Sequence, residues 1–343
     1  MIKQTLKEFE RSNKTIFLDD FIKIAHQDKK SGYYTTKKPI GKDGDFITAP
    51  EVSQIFGEII AIKIIEKINQ LNVTQFNLIE LGPGRGSLMM DIVRVLDNFL
   101  DKNIVNYSLY FHEINKFYIN KLKTIFPGSQ IKDEFSDYRN QYTIFIANEF
   151  FDALPIRQIT KRNDVFFETA VKITEKNKLE LSYVEPRKES LEYINGDISL
   201  ENNEVYEFSP ETNMIFEKII KILLQNKGYF LLIDYGYYSS PKISTLQSLK
   251  DNKKTNILDN PGDQDITYHV DFDNFKNILL KNNILSHRII SQAKFLFENG
   301  IKERTQVLID SNPSNNEELN QQLELLTNDK FMGKLFKVLE IDI

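Results

Sequence analysis

The sequence predicts an α/β fold: a seven-stranded, mostly parallel sheet with helices on both faces, an N-terminal helical cover and a β-rich insertion. Three observations carry this. Short apolar runs alternate with helix-period stretches, which builds a parallel sheet. The first run ends in a glycine cluster, Gly82-Pro83-Gly84-Arg85-Gly86, that opens a helix. After Pro155 the helical pattern gives way to short polar/apolar alternation lasting to about residue 208.

In chain order, residues 1–72 are read as the cover and 73–343 as the main domain, with the insertion at about 156–208. Helices are expected over 18–27 and 51–71; the second carries Val52, Ile55, Phe56, Ile59, Ile60 and Ile64 at helical spacing. Between them lie Ser31-Gly32-Tyr33-Tyr34 and a glycine-punctuated segment through Gly44-Asp45-Phe46. Thr48-Ala49-Pro50-Glu51 fits a capping box, with Thr48 at the N-cap and Glu51 at the third position.

The main domain opens with a strand over 76–81 and a helix over 85–96. A second strand, 107–113, precedes a helix through Phe117, Leu122 and Phe126 that Pro127-Gly128 stops. A third, weakly marked strand follows at 130–131 and a fourth at 143–147, whose unbroken apolar character implies burial on both faces. The insertion shows no strong helix. The alternation resumes where Ser209 caps a helix with Pro210 in its first turn, leading to a fifth strand over 228–235. A polar loop at about 240–268, of a length that is usually functional or disordered, runs to a helix capped by Asp271. Strands at 285–290 and 335–341, with a helix over 317–326 between them, complete the sheet.

Composition narrows the chemistry. The 343 residues contain no cysteine, which excludes disulfides, a thiolate nucleophile and Cys-built zinc or iron-sulfur sites. No metal site is expected from four scattered histidines. With 44 basic and 49 acidic side chains, a net charge of −5 and no basic run, electrostatic nucleic-acid binding is not expected. No apolar run approaches the roughly 20 residues of a membrane span. The N-terminus has neither a signal-peptide core nor the acid-poor character of a transit peptide, so a cytoplasmic location is expected.

Glu80-Leu81-Gly82-Pro83-Gly84-Arg85-Gly86 is the most informative stretch. Glycines at the end of a first parallel strand let the backbone turn sharply and bring a nucleotide-like ligand close at the carboxyl edge of the sheet. A dinucleotide fingerprint needs Gly or Ala where Ser87 stands, and the phosphate loop G-x-x-x-x-G-K-[ST] is absent, so NAD and nucleoside triphosphates fit poorly. The E-x-G-x-G-x-G form instead resembles the first motif of class I S-adenosylmethionine-dependent methyltransferases. That resemblance implies that Glu80 serves the amino-acid end of the cofactor. Glu113, ending the second strand at the same edge, can accept two hydrogen bonds from a ribose diol or simply cap the next helix. His112-Glu113 starts like a zinc-binding H-E-x-x-H, but Lys116 holds the second ligand position.

Asn148-Glu149-Phe150-Phe151-Asp152-Ala153-Leu154-Pro155 closes the fourth strand. Two carboxylates and an amide suit a cationic or amine-bearing acceptor, because a carboxylate can hold a guanidinium bidentately. Asp152 could equally cap the turn before Pro155. The aromatic pairs Tyr33-Tyr34 and Phe150-Phe151 could line a target channel or fill the core, and Tyr235, Tyr237 and Tyr238 after the fifth strand favour lining.

Taken in order, Ser31 to Tyr34, Gly44 to Ser53, Phe56-Gly57-Glu58, Glu80 to Gly86, Asn148 to Pro155, Ile233-Asp234-Tyr235-Gly236 and the block from Pro261 to Phe272 resemble the MidA family. Its mitochondrial member is complex I assembly factor 7, an arginine methyltransferase acting on a core subunit of respiratory complex I. The resemblance runs from about residue 19 to the C-terminal strand and implies a bacterial-type member with the Rossmann-like class I methyltransferase fold. It implies S-adenosylmethionine held by Glu80, Gly82, Pro83, Gly84, Gly86 and Glu113, with Asp45 and Phe46 contributing from the cover, and an acceptor at Asn148, Glu149 and Asp152. Many relatives carry a histidine where this chain has Asn252, so a role for that histidine does not transfer.

The leading expectation is a protein arginine N-methyltransferase acting on a complex I subunit and supporting complex I assembly. The alternatives are methylation of another protein or a small molecule, since fold says little about substrate, and a non-catalytic cofactor-binding assembly chaperone. An NAD oxidoreductase leaves the Asn148 block without a role.

Overall fold

A computed structural model describes residues 2–13, 15–38, 41, 47–135, 138–194 and 199–343. Its centre is a sheet of seven strands, here β1 Gln75–Leu81, β2 Asn106–His112, β3 Gln130–Ile131, β4 Tyr142–Asn148, β5 Gly228–Tyr237, β6 His287–Ser291 and β7 Phe336–Asp342. They lie side by side in the order β3-β2-β1-β4-β5-β7-β6. All pairs are parallel except those of β7, which runs antiparallel to both β5 and β6. A two-residue strand, Val270–Asp271, adds to β5 in parallel. This is the mostly parallel α/β arrangement the sequence predicts.

The continuous apolar runs have the cause anticipated for them. Alternate residues of β4 enter opposite cores: Ile144 and Ile146 pack with the helices Gln54–Gln70 and Ser87–Phe99, Phe145 and Ala147 with Pro210–Asn226 and Phe272–Lys281. Ser209 Oγ caps its helix by accepting from Thr212 N, and Asp271 caps the next through Asp273 N and Asn274 N.

The insertion is an antiparallel sheet built from Arg157–Arg162, Val165–Ile173, Leu179–Val184 and Val205–Phe208. Ile16–Phe17 joins its edge beside Val165–Ile173, so the N-terminal segment and the insertion share one sheet. Charges tie them further: Asp19 bridges Arg157 (2.8 Å) and Arg187 (2.7 Å), and Arg187 also grips the fully buried Glu168. A buried carboxylate requires such partners.

Four expectations are corrected. The insertion contains a helix, Lys188–Ile194, where none was expected. The helix expected over 51–71 is two, Ala49–Val52 and Gln54–Gln70, divided at Ser53, which caps the longer one through Ile55 N. Thr48 sits at the N-cap of the shorter helix but makes no side-chain cap bond, and Glu51 turns instead to Ser87 Oγ and Arg85; the capping box is not formed. The polar stretch 240–268 folds into a three-stranded antiparallel sheet of Gln247–Lys250, Lys253–Thr255 and Asp265–Thr267. Its hairpin turns at Asp251 and Asn252, at φ 50° and 58°. Two successive left-handed residues make the two-residue turn that favours Asn and Asp, which gives Asn252 a backbone role. The helices Ile2–Asn13, Gln292–Glu298 and Ile301–Ser311 were not anticipated.

Candidate active site

Strands β1, β2 and β4 end together: Leu81 lies level with His112 on one side and Ala147 on the other. Each delivers an acid to that edge, Glu80 within β1, Glu113 just past β2 and Glu149 just past β4. All three line a cavity of about 420 Å³, together with Gly82, Gly84 and Asn148.

The glycine turn forms one wall. Gly82, Gly84 and Gly86 adopt φ of 63°, 50° and 80°, a region that glycine enters without steric cost. Gly82 N donates to His112 O (2.9 Å) and Gly84 N to Glu113 Oε2 (3.1 Å), locking the turn to the end of β2. A Cβ on Gly82 would stand 2.9 Å from the Phe150 ring, so no side chain fits there. Pro83 lines the same wall.

Burial pushes the Glu80 carboxyl up to about 8, with a further push from Glu113. Its Oε2 has no hydrogen-bond partner among the described residues. Burial likewise pushes Glu113 up to about 7, against N–H donors from Asn115, Gly84 and Ile114 that favour its charge. An orphaned buried carboxylate oxygen beside open space is a seat for a cation. The ammonium of S-adenosylmethionine answers that need and its ribose diol offers Glu113 two donors, so the residues present fit this cofactor.

The shifts set a pH dependence. A cationic ligand favours the ionised acids, which become populated as pH rises through about 7 and 8. S-adenosylhomocysteine is expected to bind at least about tenfold more tightly at pH 7.5 than at pH 6, as calorimetry at the two pH values will measure; equal affinities would contradict the assignment.

Across the cavity, Glu149 holds a left-handed backbone (φ 50°), and its N–H donates to Ile233 O (2.9 Å). A non-glycine residue in that region is unusual and costs energy. Its Oε1 accepts from Ala49 N (3.3 Å) and Asn148 Nδ2 (3.2 Å), while Asn148 Oδ1 has no partner among the described residues. Burial first, then the charge of Asp152, pushes Glu149 up to about 8. Asp152 sits differently. It lies in the turn Phe151–Ala153, does not line the cavity, and accepts from the Tyr235 hydroxyl and Ala153 N; burial pushes it up to about 6. The turn is held from β5 by Asp234, whose Oδ2 accepts from Phe151 N (3.0 Å) and Asp152 N (3.3 Å).

Each aromatic pair divides between the two roles. Tyr34 and Phe150 line the cavity, whereas Tyr33 and Phe151 are fully buried in the core. Tyr235, Tyr237 and Tyr238 do not line it, contrary to expectation. Sequence reasoning missed His112, Lys132, Asp133 and Phe135, which line the glycine-turn end. His112 stacks on Phe135 (centroids 4.2 Å apart, planes 7°), and burial holds its imidazole down at about 4. Their signal was position at the end of β2 and just after β3, obscured because β3 is two residues long. Asp45 and Phe46 lie outside the described residues.

Beneath the cavity His26 is buried between elements: Nδ1 is 3.0 Å from Ala153 O, and Ile266 N donates to Nε2 (3.2 Å). Those partners require the neutral ring with its proton on Nδ1. Burial lowers its protonation to about 4 from an ordinary 6.5. A histidine depressed in this way stabilises the fold fully above pH 6.5, and the contribution drains away as pH falls toward 4. Thermal unfolding of His26→Gln against wild type is expected to show a stability gap at pH 7.5 that closes by pH 4.5; a gap independent of pH would contradict this.

Residues 59–290 match the family described as "putative S-adenosyl-L-methionine-dependent methyltransferase". The chain is 30% identical to the mitochondrial protein arginine methyltransferase NDUFAF7 homolog of Caenorhabditis elegans, over 98% of this chain and 85% of the relative. It is also 30% identical to the human mitochondrial protein arginine methyltransferase NDUFAF7, over 95% and 80%. A crystal structure of a Burkholderia thailandensis protein bound to S-adenosyl-homocysteine superposes with a TM-score of 0.84 at 21% identity, covering 100% of this chain and 92% of that one, and shows the shared fold. No helix among the described residues is long and apolar enough to cross a membrane. With its class I fold, its glycine turn and its seat for a cationic nucleoside, the chain belongs to this methyltransferase family and uses S-adenosylmethionine.

Proposed function

We propose that the protein is an arginine N-methyltransferase acting on another protein. In this reading Glu80, Gly82, Pro83, Gly84 and Glu113 hold the cofactor, and Asn148 and Glu149 receive the acceptor guanidinium. Gly86, which does not line the cavity, serves the turn by packing against Leu122. The carrying observation is Glu149, a half-buried carboxylate that faces the same cavity as the glycine turn and is pushed up to about 8, first by desolvation. Such a group is costly unless a cation completes it. The names of the relatives, protein arginine methyltransferases, support the same class.

S-adenosylmethionine supplies a methyl group on positively charged sulfur. The protein's task is alignment, more than acid-base work. Glu149, ionised by the guanidinium, fixes it through charge-assisted hydrogen bonds, and Asn148 Oδ1 accepts a further N–H. Transfer would form the nitrogen–carbon bond as the sulfonium's sulfur–carbon bond breaks to leave the neutral thioether S-adenosylhomocysteine. The methylated nitrogen then has a proton to lose, and Glu149 is the acid-base group placed to take it. Asp152 acts as a positioning residue whose charge strengthens the hold on a cation.

On the motif resemblance, the acceptor-bearing partner is a core subunit of respiratory complex I and the methylation supports assembly of that complex. Incubating the protein with methyl-labelled cofactor and purified complex I subunits, then mapping the label by mass spectrometry, tests this. Label on arginine of one core subunit is expected. Label on another residue type overturns the arginine reading, and label absent from every subunit overturns the partner.

A further inference from the structure

We infer that Asn115 is a positioning residue: it latches the cover segment to the cofactor carboxylate, coupling closure of the cover to occupancy of the cavity. The inference rests on the reading of Glu113 as a cofactor ligand. Asn115 is nearly fully buried although its side chain is an amide, and each polar atom of it is used. Its Nδ2 donates to two carbonyls of the cover, Tyr34 O (2.9 Å) and Lys37 O (2.8 Å). Its Oδ1 accepts from Phe117 N (2.9 Å) and Tyr118 N (3.4 Å), capping the helix Lys116–Ile125. Its own N–H donates to Glu113 Oε1 (2.8 Å), while the other oxygen of that carboxylate holds the glycine turn.

One residue thus joins three parts of the site. A capping Asn needs only its oxygen, so the two bonds from the amide nitrogen, spanning about eighty positions of chain, are surplus to capping. They end on the short helix Tyr33–Thr36 and on its C-cap residue Lys37; Tyr34 lines the cavity and donates its hydroxyl to Asp265 Oδ1 (2.6 Å). Tyr34 is therefore pinned through its backbone by Asn115 and through its ring by Asp265. A ligand drawing Glu113 toward the cavity pulls on the same anchor that holds the cover. By linkage, a held cover must favour the ligand to the same extent.

Asn115→Asp separates the two roles, because aspartate caps a helix as well as asparagine but cannot donate to the two carbonyls. The unliganded variant is expected to melt below wild type, because the buried aspartate faces Tyr34 O and Lys37 O with no donor to give them. Two neutral hydrogen bonds set the scale of the ligand effect: S-adenosylhomocysteine is expected to dissociate about tenfold faster, with the association rate not reduced. The ligand is also expected to protect the peptide bond after Lys37 from trypsin in wild type and to lose that protection in the variant. Asn115→Ser, which likewise caps, repeats the test should the aspartate variant fold poorly. Glu113→Gln serves as the reference. If it leaves affinity unchanged, the reading of Glu113 fails. If it weakens binding while both Asn115 variants keep wild-type dissociation and protection, the latch is overturned.

Discussion

Gly84→Val is expected to lower affinity for S-adenosylhomocysteine at least about 100-fold, as titration calorimetry at pH 7.5 will read. Gly84 holds φ 50°, where an L side chain loses energy and a β-branched one loses most. A valine must pull the backbone out of the turn, and the turn is what positions its N–H 3.1 Å from Glu113 Oε2. The effect exceeds the local strain because that carboxylate, already pushed up to about 7 by burial, loses a donor that favours its charge. Retained wild-type affinity would remove the glycine turn from the cofactor site.

Glu149→Gln is expected to reduce kcat on an arginine acceptor by about 10³, within the range for a group that both orients and accepts a proton. Glutamine keeps an acceptor for Ala49 N, so the backbone stays in place. With cofactor saturating, kcat/KM of the wild type for the acceptor is expected to rise with pH to a plateau above about 8, reporting ionisation of Glu149, and the variant is expected to be flat. Removing a half-buried acid whose protonation is pushed up also relieves the fold at neutral pH and above. The melting temperature of the variant is expected to rise while activity falls, a trade-off found where a site stores unfavourable charge. A variant that is active, or inactive only because it is unfolded, would contradict the assignment.

The central sheet was legible because its physics is local. β4 and the stretch 228–233 of β5 are buried on both faces, so their apolar runs are unbroken, and β1 was marked by the glycine cluster that follows it. The site's acids were legible for the same reason: Glu80, Glu113 and Glu149 fall at strand ends, and parallel strands bring their ends together. What was hidden depends on partners far away in sequence. Glu51 looked like a cap residue until Ser87 and Arg85 claimed it. Ile16–Phe17 carries no period of its own and becomes a strand only beside Val165–Ile173. The stretch 240–268 read as a loop because its strands are three or four residues long and one is lysine-rich; the hairpin rests on left-handed Asp251 and Asn252.

Asp152 illustrates a limit of motif reasoning. Two acids three positions apart invite a shared role, yet only Glu149 lines the cavity, while Asp152 is drawn beneath it by the Tyr235 hydroxyl. The distinction arises at the left-handed backbone of Glu149, which redirects the chain between the two side chains.

The most direct test of the account is a crystal structure with S-adenosylhomocysteine and an arginine-containing acceptor peptide. The account predicts the ligand's ammonium at Glu80 and its ribose at Glu113, with a guanidinium nitrogen facing the sulfur and an oxygen of Glu149 within about 3 Å of that guanidinium. An arginine bound away from Glu149, or a cofactor seated without Glu80 and Glu113, would contradict it.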